Sequence, residues 1–300
     1  MTVQDSATLG RRETNSRGTL LAGLAVVSFS VSFPATAWAL EGFGPWTVTG
    51  VRGVLAGLLA AAMLLALRIP LPGRQHWPGL LVVAGGCVLG FPLLTALALQ
   101  TSSTAHSAVV IGALPLATAA VSAALTGKRP SGLFWGAALL GAVATVAFTL
   151  HRSDGTPTTG DLFLFGALLL CAAGYAEGGR LARHMPGWHV ISWAVVAALP
   201  CTALTVLLAL PWEPVHPTAK AVTGMVYLAA VSQFAGFIAW YRGMAVIGVL
   251  RASQIQLAQP LLTLLWAVLL IGETLSPSAP VTALLVVGCI AVTQRARTHA

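Results

Sequence analysis

Apolar runs of about 20 residues recur along the whole chain, separated by short clusters of Gly, Pro and charged residues. As helices rising 1.5 Å per residue, such runs match a hydrocarbon core roughly 30 Å thick. The pattern predicts ten helices, at 18–40, 45–67, 77–99, 102–126, 131–150, 162–181, 188–210, 219–241, 248–271 and 278–294. The separators are turn formers, among them Gly42-Phe43-Gly44-Pro45, Pro70-Leu71-Pro72-Gly73 and Met185-Pro186-Gly187, so neighbouring helices are expected to form hairpins. The expected fold is an all-α polytopic membrane protein.

Composition strengthens this reading. The 300 residues are 57% hydrophobic and 8% charged, with a mean hydropathy of +0.85; soluble domains carry about 25% charged residues. The connections are too short for a separate folded domain. A net charge of +8 would suggest a nucleic-acid partner in a soluble chain. Here its distribution matters more, because Lys and Arg are retained on the cytoplasmic side during insertion. With the N-terminus inside, Arg11, Arg12, Arg17, Arg68, Arg74, Lys128, Arg129, Arg180, Arg183, Arg242, Arg251, Arg295 and Arg297 fall on the cytoplasmic side. Only Arg152 and Lys220 fall outside, and Arg52 lies within the second span. Both termini are therefore expected in the cytoplasm, the lipid bilayer is the expected partner, and nucleic acid is not. A cleaved export signal ending near Ala35-Thr36-Ala37-Trp38-Ala39 competes with this reading, but the apolar run exceeds a typical signal core and its loss would spoil the charge alternation. Cys87, Cys171, Cys201 and Cys289 sit in apolar stretches without paired spacing and read as packing residues, with no disulfide and no metal site implied.

The fourth and ninth spans repeat each other. Ala113-Leu114-Pro115-Leu116-Ala117-Thr118 continues to Gly127-Lys128, and Ala258-Gln259-Pro260-Leu261-Leu262-Thr263 continues to Gly272-Glu273, at a constant offset of 145. Ten spans are then two units of five, and an odd number of crossings forces the second unit in upside down. The expected organisation is a tail at 1–17, a first five-helix repeat at 18–150, an external connection at 151–161, a second repeat at 162–294 and a tail at 295–300. Inverted repeats around a midplane site are the usual build of alternating-access carriers.

These residues resemble the EamA family of the drug/metabolite transporter superfamily over about 18–294. The marks are the apolar helix from Pro260 to Leu270-Ile271-Gly272-Glu273 and the second-span Thr49-Gly50-Val51-Arg52-Gly53. Gly127-Lys128 departs from the Gly-Glu common at that place, which makes a helix cap the better reading for Glu273. The resemblance implies a permease of the cell inner membrane for small metabolites, amino acids or related compounds, working by export. An exporter of cationic drugs is the alternative. The first span lacks the acidic residue that small multidrug-resistance relatives use for proton exchange.

Polar groups inside the bilayer are the candidate site residues, because hydrocarbon tolerates them only toward the bundle interior. Gln256, Gln259 and Thr263 share one face of the ninth span, and Arg251, Gln254 and Ala258 share the other. Gln256 and Gln259 are favoured as substrate-binding because Pro260 frees the Gln256 carbonyl near mid-membrane; glue between helices is the plainer alternative. Gln233 and Trp240 form a stripe with Ala229 and Gly236, a candidate cavity wall. Arg52 is a candidate clamp for a substrate carboxylate, weighed against a structural Arg bonded to carbonyls. His106, in register with Arg251, and Glu177, three residues before Arg180, are candidates for proton coupling; an interfacial histidine and a surface ion pair are the simpler readings. Pro34, Pro115 and Pro260 are expected kinks. No nucleotide-binding loop, H-E-x-x-H or paired aspartates are present, so neither an enzyme nor a cofactor is expected. The expected partner is a small-molecule substrate, and the sequence favours neither monomer nor homodimer.

Overall fold

A computed structural model of the chain describes residues 3–126, 131–152, 156–247, 252 and 255–296. Among them, eight helices are long and apolar enough to cross a membrane: α1 (Ser16–Leu40), α2 (Pro45–Ala66), α3 (Arg74–Ala98), α4 (Thr104–Leu125), α5 (Gly132–His151), α6 (Thr159–Leu181), α7 (Gly187–Ala209) and α8 (Ala219–Ile247). Two shorter apolar helices follow, α9 (Gln259–Ile271) and α10 (Ser278–Val292). The helix of α1 reaches back to Val3, through the segment expected as a tail. Among the described residues the only β pairing is an isolated bridge between Phe43 and Val215.

Helix is the form these runs must take, since in lipid each backbone N–H and C=O needs a partner within its own segment. Hydroxyls obey the same demand. Thr36, Thr49, Thr145, Thr149 and Thr263 each donate to the carbonyl four residues back. Pro45 opens α2, Ser103 caps α4, and Thr158 with Asp161 forms a capping box at the start of α6. The expected eighth span ended at Tyr241, but α8 continues to Ile247. Arg242, counted among the cytoplasmic charges, lies 5.1 Å over the Trp188 ring and does not interrupt the helix. The start of the expected ninth span, with Arg251 and Gln254, and the Gly127-Lys128 half of the repeat lie outside the described residues.

The helices pack in pairs. α1 lies against α8, α3 against α6, α2 against α7 and α5 against α10. Exchanging each helix with the one five places away turns this set into itself. The start of α2 meets Glu213, just beyond the end of α7, so these two helices run antiparallel. Their contact is close because Gly50, Gly53 and Gly57 face Val206, Thr202 and Leu199 one turn after another. A leucine at Gly53 would collide with the Thr202 side chain, and overpacking of this kind costs about 1–3 kcal/mol. Gly53→Leu is accordingly expected to lower the Tm of the detergent-solubilised protein by several degrees, and an unchanged melting curve would contradict the packing. Leu20, Leu65, Leu139, Leu207, Leu269 and Val281 point outward and are exposed, a surface stable against acyl chains but not against water.

Candidate functional site

Mid-span helix irregularities surround the centre of the bundle. α4 is helical over Thr104–Ile111 and again over Leu114–Thr126, with a turn at Gly112 and Ala113. Before α9, Ile255 and Gln256 are helical, Leu257 and Ala258 form a turn, and Gln259 restarts the helix. α1 breaks at Val31, three residues before Pro34. Each break lies just upstream of a proline, whose missing N–H leaves a carbonyl without its helical donor. α3 and α8 carry π-helical stretches, Ala84–Gly90 and Tyr227–Gly236.

These elements border a cavity that opens to the protein surface. Arg52 of α2 borders it, as do Gln256, Gln259 and Thr263. The structure thus brings three of the expected substrate-binding residues together. Phe29, Phe33, Phe91, Tyr175 and Phe237 supply aromatic walls, while Ser32 and Ser232 add a hydroxyl pair 2.7 Å apart. Arg52 is 7% exposed and its Nε has no hydrogen-bond partner among the described residues. The ion pairs Glu177–Arg180 and Glu41–Lys220 and the His106–Asp161 contact, the acid–base pairings among those residues, do not include it. No Asp or Glu is among the described residues that line the cavity. A buried guanidinium without a counter-ion is costly, and a bound anion removes that cost.

The other candidates lie elsewhere. Gln233 is 1% exposed, with neither amide atom hydrogen-bonded among the described residues, and it does not border the cavity. Trp240 packs edge-on against Phe29, also off the cavity. The reason is helical pitch. A stripe drawn with 3.6 residues per turn selects Gln233 and Trp240, but the i→i+5 bonds of the π-helical stretch widen its turns and shift that stripe, and Ser232 and Phe237 are what border the cavity. Glu177 accepts from Arg180 Nε at 2.8 Å in a local i,i+3 pair away from the cavity. His106 Nε2 lies 2.7 Å from Asp161 Oδ1, buried, with Phe148 stacked on the imidazole. Asp161 carried no signal in the sequence, since a capping carboxylate looks the same whether or not a histidine from another helix meets it. Of the four cysteines, Cys87 and Cys171 border the cavity and Cys289 is buried, whereas Cys201 is exposed on the outward side of α7, contrary to its reading as a packing residue.

Charged groups tie residues before 150 to residues after 156 at one end of the bundle. Trp46 and Thr47 donate their backbone N–H groups to Glu213 at 3.1 and 2.7 Å. Thr104 and Ala105 donate theirs to Glu273 at 2.7 and 2.8 Å. Gly272, at φ 76°, ends α9 in the left-handed conformation glycine favours and so turns Glu273 toward α4. Glu273 is therefore the helix cap its motif suggested. His106–Asp161 and Glu41–Lys220 complete the set at the same end. Among the described residues no ion pair joins the two parts at the opposite end.

Comparison with known proteins adds an independent line. The model of the EamA-like transporter family matches residues 16–150 and again 158–294. "Uncharacterized transporter YdeK" of Bacillus subtilis is 39% identical over 275 residues, covering 91% of this chain and 95% of that protein. "Uncharacterized transporter YwfM" of the same organism is 23% identical over 266 residues, covering 84% and 87%. A solved crystal structure, 24% identical, superposes with a TM-score of 0.67 over 92% of this chain and 97% of its own, a likeness of fold.

Proposed function

The chain belongs to the EamA-like transporter family, and from that premise and the cavity we propose that this membrane transporter is a secondary carrier of small carboxylate-bearing metabolites, amino acids among them. The observation that carries the reading is Arg52, a buried guanidinium without a counter-ion among the described residues, bordering a mid-span cavity together with Gln256 and Gln259. Its fork of donors fits a carboxylate through two parallel hydrogen bonds. A cation exporter would need the reverse polarity, and no acid is among the described residues that line the cavity.

Alternating access follows from ten crossings built as two inverted five-helix units. Two family matches, the 145-residue offset, the exchange-symmetric packing and the antiparallel α2 and α7 support that build. On the positive-inside bias, the end that holds Glu41, Glu213 and Glu273 faces outward and the inner membrane holds both termini on its cytoplasmic side. Export is the direction the family resemblance favours.

Counterflow in proteoliposomes, run over labelled amino acids, other carboxylates, nucleosides and cationic dyes with and without a pH gradient, tests the reading. Saturable exchange of at least one carboxylate solute is expected, with no exchange of the dyes. Exchange confined to cations would overturn it. Direction is read from cells expressing the protein, which should accumulate less of a preloaded solute than cells without it.

A further inference from the structure

The two broken helices match in register. Adding 145 to Gly112–Ala113 gives Leu257–Ala258, and adding 145 to Pro115 gives Pro260, so both chains open at one position of the repeat. They also meet there. A Cβ placed on Gly112 would lie 3.3 Å from Pro260 Cβ, so the absence of a side chain at Gly112 lets the two interruptions cross in contact. Pro115 and Pro260 have no N–H, and the carbonyls of Ile111 and Gln256, one turn upstream, lose their helical donors. Ile111, Gly112, Gln256 and Leu257 all border the cavity. The helical stretch Thr104–Ile111 therefore ends beside the cavity, where such an end carries partial negative charge, and the Gln256 carbonyl upstream of Pro260 is left without its helical donor in the same way. On the same cavity stands Arg52, buried and without a partner among the described residues.

We propose that the freed main-chain carbonyls at the paired breaks of α4 and α9 form a subsite for the protonated amine of the substrate. The cavity then holds a zwitterion between that subsite and the Arg52 guanidinium. This rests on the carrier reading above and adds what receives the second charge. An ammonium needs acceptors, and with no carboxylate among the described residues of the lining the backbone supplies them, assisted by the side-chain carbonyls of Gln256 and Gln259. Discontinuous helices use unwound carbonyls for cations in other carriers. An amine without a carboxylate meets the like charge of Arg52. A carboxylate without an amine leaves the freed carbonyls dry. The apolar body of the solute packs on Phe29, Phe33, Phe91 and Phe237.

The test trims the ligand. Binding of phenylalanine, 3-phenylpropionate and phenethylamine to the purified full-length protein is measured, together with leucine, 4-methylpentanoate and isoamylamine. Each amino acid is expected to bind at least tenfold more tightly than its deaminated acid, and more tightly still than its amine. In Pro115→Ala and Pro260→Ala the restored N–H occupies the upstream carbonyl, and the preference for amino acid over acid is expected to fall toward unity while the acid still binds. The wild-type comparison stands even where a proline variant fails to fold. Acids that bind as tightly as amino acids, in a manner that depends on Arg52, would overturn the subsite and leave the carrier reading intact. Amines that bind best, or none of the six compounds binding, would overturn both.

Discussion

Arg52→Ala is expected to lower kcat/KM for the carried solute on the order of 100-fold without lowering thermal stability. A charge-assisted bidentate contact contributes about 2–3 kcal/mol, which at about 1.4 kcal/mol per decade gives that factor. The stability arm separates two roles. An arginine bonded to backbone carbonyls holds the fold, and its removal lowers the Tm; here Nε has no partner among the described residues, so deletion relieves a buried unpaired charge and the Tm holds or rises. Arg52→Lys keeps the charge and loses the fork, and is expected to fall between wild type and alanine. Transport measured in proteoliposomes alongside a detergent melting curve reads both arms. Full activity in the alanine variant would remove Arg52 from the site.

The second large effect concerns the charged end. Glu213 and Glu273 reach from the second repeat to the helix starts of α2 and α4 in the first, each accepting two backbone N–H groups. A capping carboxylate contributes about 1–2 kcal/mol, so losing both removes about 2–4 kcal/mol from the arrangement closed at that end. The double variant Glu213→Ala, Glu273→Ala is expected to raise the population open there by on the order of 100-fold. Cys87 and Cys171 report the change from inside the cavity. In a Cys201→Ser, Cys289→Ser background, a membrane-impermeant maleimide added outside the cell should label the cavity pair much faster in the double variant. Equal labelling rates would mean that these acids cap helices without holding an end shut.

Some of this was legible from residues alone. Apolar runs, turn-forming separators and the absence of charge define each crossing because lipid admits few backbone solutions. The proline repeat located the interruption of α4 and α9, and the missing N–H of proline is a local property. Glu273 was legible as a structural residue at a helix end, but the helix it caps, α4, was not. Gln233 and Trp240 do not border the cavity, and no residue type announces the π-helical stretch whose wider turns shift the face. Asp161 and Glu213 carried no signal, because each meets a helix far away in the chain.

The amino-acid sequence by itself determined the class of solvent, the crossings described here, the doubled unit and the sites where helices must break, all of which follow from hydrophobicity and covalent geometry within one turn. The tertiary structure alone decided which face of each helix borders the cavity, that Arg52 reaches it without a counter-ion among the described residues, and which acids of one repeat clasp the other. Those outcomes depend on packing between residues far apart in the chain, where small side chains permit close approach and helix pitch sets direction, and no local pattern encodes them.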